Sequence, residues 1–115
     1  FICDAPINLS FIERLAKELG IDQCSTSFYS DANYLEFVPP GTSKGAMAEV
    51  LHAMPAYTGR RVIACGDYEN DIELLRMADI GIAPEDASKE AKEAADRIAP
   101  PCREPIVPWL LREVL

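Results

Sequence analysis

The spacing of apolar positions changes character near residue 40. Before it, Phe11, Ile12, Leu15 and Leu19 recur at helical intervals, with Asn8 or Ser10 able to cap the start and Gly20 to end the run. Two strand-like runs follow, about Cys24 to Tyr29 and Tyr34 to Val38, separated by Ser30, Asp31, Ala32 and Asn33. Hydroxyl-rich residues and turn formers in that order predict an antiparallel hairpin. Phe1 to Cys3 reads as a short strand, and Pro39-Pro40-Gly41 stops the second hairpin strand.

After that boundary, helical and strand-like segments alternate. Thr42 or Ser43 caps a helix over about 45–54, and Val62 to Cys65 is a short apolar strand. A helix over about 71–77 leads to a strand at Ile80 to Ala83. Residues 86–95 form an Ala-rich helix with Asp86 as the expected N-cap. Arg97 to Ala99 is a last strand, and 106–115 is a closing helix in which Trp109 is expected to be core. Such alternation predicts an α/β fold with a parallel sheet and crossover helices. The expected division is therefore 1–40, a helix–strand–strand unit, and 41–115, an alternating α/β unit.

Composition narrows the function classes. Of 115 residues, 49% are apolar, which suits a packed chain rather than a disordered one. A formal net charge of −8 argues against nucleic acid as a partner, because binding its phosphates needs a basic surface. No apolar run approaches the ~20 residues of a membrane span. The four cysteines, Cys3, Cys24, Cys65 and Cys102, are widely spaced without a CxxC pair, so no zinc signature is present. Cys65, in the most apolar strand, is expected to be a buried thiol, and a reducing, cytoplasmic compartment is the expected location. The chain starts with Phe1, and FICDAP reads as the tail of a strand already under way, so the chain is expected to be a fragment lacking an N-terminal part.

The chemistry concentrates in GDYENDIELLRMAD, residues 66–79, directly after the apolar strand. That order puts Asp67 at a strand's carboxyl end, where open α/β sheets bind ligands, with Asn70 and Asp71 at the start of the next helix. Helix capping would use one such side chain, and acidic residues complement a helix N-terminus. This turn offers Asp67, Glu69, Asn70, Asp71 and Glu73, enough oxygen for a hard divalent cation such as Mg²⁺. Lys44 adds a second signal, since a lysine at a helix start opposes the helix dipole. Set beside Gly45 and the hydroxyls of Thr42 and Ser43, it could hold a phosphate that relieves this conflict. His52, the one histidine, fits packing or surface better than catalysis. Tyr68 and Glu69 could face either substrate or solvent.

Together, SKG, GDYENDIELLRMAD and GIAPEDASKEAKEAAD resemble the C-terminal part of haloacid dehalogenase (HAD) superfamily phosphatases of the Cof type. The resemblance covers nearly the whole chain. It implies a partial Rossmann-like core in residues 41–115, preceded by the closing α-β-β segment of an α/β cap domain. It also implies a Mg²⁺-dependent hydrolase of small phosphorylated metabolites, sugar phosphates among them, working through an aspartyl-phosphate intermediate. By position, Asp67 would be a direct Mg²⁺ ligand and Asp71 would hold the metal or its water. Asn70 would contact phosphate or substrate, and Lys44 would neutralise phosphate and nucleophile. The same superfamily includes phosphomutases, and a non-catalytic binding module on a degenerate core is the alternative of another class.

Two departures from that pattern matter. The family's D-x-D motif, which carries the nucleophile, occurs nowhere in these 115 residues, so the chain by itself is expected to be inactive. The segment Ala99 to Pro105, APPCREP, differs from the family's Asn/Asp/Gly-rich loop. The resemblance further implies that Val62 to Cys65 pairs with the absent strand. Its bare edge would then be covered by the missing N-terminal part or by another copy.

Overall fold

The computed structural model describes residues 6–31 and 34–115. The strand expected at Phe1 to Cys3 lies outside the described residues. Among the described residues there are two sheets. Helix α1 (Pro6–Glu18) precedes strands β1 (Thr26–Asp31) and β2 (Tyr34–Val38). The strands pair antiparallel with Thr26 opposite Val38 and Tyr29 opposite Leu35. α1 begins earlier than expected, with Pro6 rather than Asn8 or Ser10 at its start, a position that suits proline because no helical partner awaits its missing N–H. Leu9, Ala16 and Leu35 are buried there.

Beyond Pro39 and Pro40 come α2 (Lys44–Ala53), β3 (Ile63–Cys65), α3 (Ile72–Met77), β4 (Ile80–Pro84), α4 (Lys89–Ala94), β5 (Arg97–Ala99) and α5 (Ile106–Glu113). The three strands form a parallel sheet in the order β3-β4-β5, with Ile63 opposite Ile80 and Ile82 opposite Arg97. This is the expected α/β architecture. Ser43 caps α2, its hydroxyl accepting the Ala46 N–H at 2.9 Å. α4 starts later than expected, because Ser88 caps it by accepting the Ala91 N–H at 3.1 Å. Asp86 instead accepts the Cys102 N–H at 2.9 Å and ties down the segment after β5.

The core beneath the sheet is small: Leu75 of α3 packs with Ala83, Ala87 and Ala91, and Ala94 and Ala95 close its rim. Ile82, Ala64 and Ala99 are also buried in the sheet. Many large apolar side chains are not. Met47, Val50 and Leu51 line an exposed face of α2, with Met54 exposed just beyond its end, Val107 and Leu111 one of α5, and β3 has no strand on its outer side among the described residues. Trp109, expected as core, is half-buried. Among the described residues no helix is long and apolar enough to cross a membrane.

Candidate active site

A parallel sheet sends the loops that follow its strands to one edge, and those loops make the site. β3 ends at Cys65, and the chain turns through Gly66 and Asp67 into a 3-10 turn at Glu69–Asp71 that opens α3. The turn is fastened at both ends of Asp67. Its N–H donates to Asp71 Oδ2 at 3.0 Å, and its carbonyl accepts the Ser88 N–H at 2.9 Å. Gly66 is required by this geometry, since a Cβ there would stand 2.3 Å from the Cβ of Asp71.

Asp71 is the one charged side chain buried among the described residues, 4% exposed. Its Oδ1 accepts from Lys44 Nζ at 2.5 Å, completing an ion pair. Burial is tolerated because both oxygens have donors, one of them charged. Lys44 stands on the first turn of α2, whose close approach to α3 depends on Gly45. A Cβ at Gly45 would meet Glu73 Cγ at 2.6 Å. The charge conflict expected at Lys44 is thus met first by a carboxylate.

Asp67 faces a cavity of about 400 Å³ lined also by Lys44, Asp71, Cys65, Cys102 and Glu104. Although its side chain reaches solvent, partial enclosure and then the neighbouring Asp71 charge push its carboxyl above the ordinary value. Cys65, expected to be buried, is exposed on the cavity wall, and what burial it has raises its thiol. The Cys102 thiol is raised by partial burial and by the Asp86 charge. Asn70 does not line this cavity. It lines an adjacent one of about 520 Å³ that Lys44 shares, between α2 and the hairpin residues Phe28, Glu36 and Val38. His52 lies in a separate cavity near Tyr57, Arg60 and Arg61.

The cavity's donor set fits Mg²⁺. It offers three carboxylates, Asp67, Asp71 and Glu104, and no imidazole, and a hard cation beside Asp67 would offset the repulsion between Asp67 and Asp71. Among the described residues no group of three or more His, Cys, Asp or Glu is arranged for a metal, and Asp67 and Asp71 are the candidate ligands. Mg²⁺ sites are commonly of that kind, with one or two carboxylates and the rest water and phosphate. The wall contributed by Pro100, Cys102, Glu104 and Ile106 was missed in the sequence. The available signal was positional: residues after β5 must emerge at the same sheet end as Asp67.

The chain is similar to known proteins. The chain is 39% identical over 69 residues to a chloroplastic endoribonuclease YBEY of Arabidopsis thaliana, covering 60% of this chain and 12% of that protein. It is 42% identical over 66 residues to a phosphoglycolate phosphatase of Aeropyrum pernix, covering 56% of this chain and 27% of that one. A HAD/COF-like hydrolase from Plasmodium vivax superposes with a TM-score of 0.82 at 25% identity, over 97% of this chain and 39% of that chain. The chain therefore spans well under half the length of these relatives. The sequence profile of haloacid dehalogenase-like hydrolases matches residues 2–104. With that profile over nearly its whole length and the Asp67 turn at the tip of β3, the chain belongs to the haloacid dehalogenase-like hydrolases of the Cof type.

Proposed function

We propose that this chain supplies the metal- and phosphate-holding half of a phosphatase site acting on small phosphorylated metabolites, sugar phosphates among them. One observation carries the reading: Lys44 and Asp67 stand on either side of the buried Asp71 in a single cavity at the carboxyl end of a parallel sheet. The family and the phosphatase named among its relatives support the reaction class. In this reading Asp67 is a direct ligand of Mg²⁺, and Asp71 fixes the Asp67 backbone and the Lys44 ammonium while holding the metal or its water. Lys44 neutralises the phosphoryl oxygens, and Asn70 meets the substrate from the adjacent cavity. Bound Mg²⁺ would supply the positive charge that phosphoryl transfer requires.

The carboxylate that accepts the phosphoryl group as an aspartyl phosphate lies, in this reading, outside these 115 residues, which contain no D-x-D. Residues 1–40 would close a cap domain and 41–115 would complete a core. The open edge of β3 would then be covered by the rest of the same protein or by another copy. The net charge of −8 speaks against a nucleic-acid substrate. A reducing, cytoplasmic setting suits the dispersed thiols. Phosphomutase chemistry would use the same half-site.

A non-catalytic binding module has one observation in its favour, namely that both oxygens of Asp71 already have protein donors. Phosphate release from 4-nitrophenyl phosphate with Mg²⁺ tests the divided site. The chain alone is expected to release none above the buffer rate. Turnover by the purified chain that Asp67→Ala abolishes would contradict the division.

A further inference from the structure

Glu69 neither lines the Asp67 cavity nor simply meets solvent. Its Oε2 accepts the backbone N–H of Tyr29 at 2.7 Å, across 40 residues of sequence and between the two sheets. A bond from a neutral N–H to a carboxylate is of the stronger, charge-assisted kind. Tyr29 is held firmly on its own side. Its hydroxyl donates to Glu13 at 3.1 Å, Glu13 also accepts from Lys17 at 2.9 Å, and its strand partner Leu35 is fully buried. The β1–β2 register shifts between Tyr29 and Asp31, so this contact is made where the ladder becomes irregular.

On the other side, Glu69 opens the same 3-10 turn that ends at Asp71, which in turn holds the Asp67 N–H and Lys44. A continuous series of hydrogen bonds therefore joins Lys17, Glu13 and Tyr29 of the hairpin unit to the turn that bears Asp67. We infer that Glu69 is a positioning residue that couples the docking of the hairpin to the geometry of the metal- and phosphate-holding turn. The inference rests on the function proposed above. It does not give Glu69 contact with metal or substrate. A shift of the hairpin must bend the turn or break this bond, and a ligand that orders the turn must favour the docked hairpin by the same amount.

The test is a titration of the chain with Mg²⁺ in the presence of inorganic phosphate, followed by amide ¹H–¹⁵N spectra. In the unaltered chain the Asp67 and Asp71 amides shift, and the Tyr29 amide shifts with the same midpoint. In Glu69→Ala the Tyr29 response disappears and the midpoint at Asp67 weakens roughly fivefold. Unchanged Leu75 and Ala91 amides show that the core is intact. Glu69→Gln keeps an acceptor at the same reach without the charge, so the Tyr29 response persists and the midpoint returns most of the way. Three outcomes overturn the inference while leaving the site reading intact: Tyr29 silent while Asp67 responds, Glu69→Ala titrating like the unaltered chain, or Glu69→Gln as weak as Glu69→Ala, which would mean charge acting at a distance. Silence at Asp67 itself overturns the site reading and this inference with it.

Discussion

Gly66 has no side chain, and Asp71 occupies the space that one would need. Gly66→Ala sets a Cβ 2.3 Å from the Asp71 Cβ and 2.7 Å from its Cγ, so the clash must displace the buried carboxylate. Overpacking of this kind costs about 1–3 kcal/mol. Urea denaturation should show that loss together with loss of Mg²⁺ binding, and a variant of full stability that still binds Mg²⁺ would contradict the geometry. Asp67 should behave in the opposite way. Its carboxyl is raised in the folded chain, so the fold binds that proton more tightly than the unfolded chain does. Stability from this group accordingly increases as pH falls through the raised value, and at neutral pH the ionised form weakens the metal-free fold. Asp67→Asn should melt slightly higher than the unaltered chain at pH 7 without metal, while losing its response to Mg²⁺. A lower melting temperature would reverse the sign. Asp67 and Lys44 could be found in the sequence because each violates a local expectation, an acidic cluster at a strand tip and a cation at a helix start. Glu69 could not, because its partner lies 40 residues away and is a backbone N–H, which no side-chain pattern marks.

At the scale of elements, the site depends on where α2 begins. Ser43 caps that helix and fixes Lys44 on its first turn, within reach of Asp71. Ser43→Ala should cost about 1 kcal/mol, seen as a lower urea midpoint, and should weaken phosphate binding more than Mg²⁺ binding, since Lys44 is the group displaced. Equal weakening of both ligands would argue against that assignment. Most elements were legible because their signals are local: alternation, apolar runs, and proline or glycine at the ends. The start of α4 was not. Asp86 and Ser88 are both good caps, and the decision was made by the segment after β5, whose Cys102 N–H engages Asp86 and leaves Ser88 to the helix. Burial failed similarly at Cys65: an apolar run predicts an enclosed strand, but β3 stands at a sheet edge beside the cavity.

The whole molecule is more extended than its length requires. Its Cα radius of gyration is 16.1 Å, against roughly 13 Å for a compact domain of about 100 residues. Two separate sheets account for the excess, apolar faces are left open on α2 and α5, and β3 has no strand on its outer side among the described residues. Such surfaces favour association. Sedimentation velocity should therefore reveal concentration-dependent self-association, and a monodisperse monomer that unfolds cooperatively would contradict it. The open edge of β3 was expected from the family resemblance, whereas the order β3-β4-β5 was not, because periodicity identifies strands but not their neighbours. The central claim is that Lys44, Asp67 and Asp71 form one site for a divalent cation and a phosphate. Calorimetric titration of Mg²⁺ with and without inorganic phosphate tests it most directly. Phosphate should tighten Mg²⁺ binding about fivefold or more, and both Lys44→Met and Asp67→Asn should abolish that coupling. Mg²⁺ binding that ignores phosphate, or coupling that survives Asp67→Asn, would contradict the account.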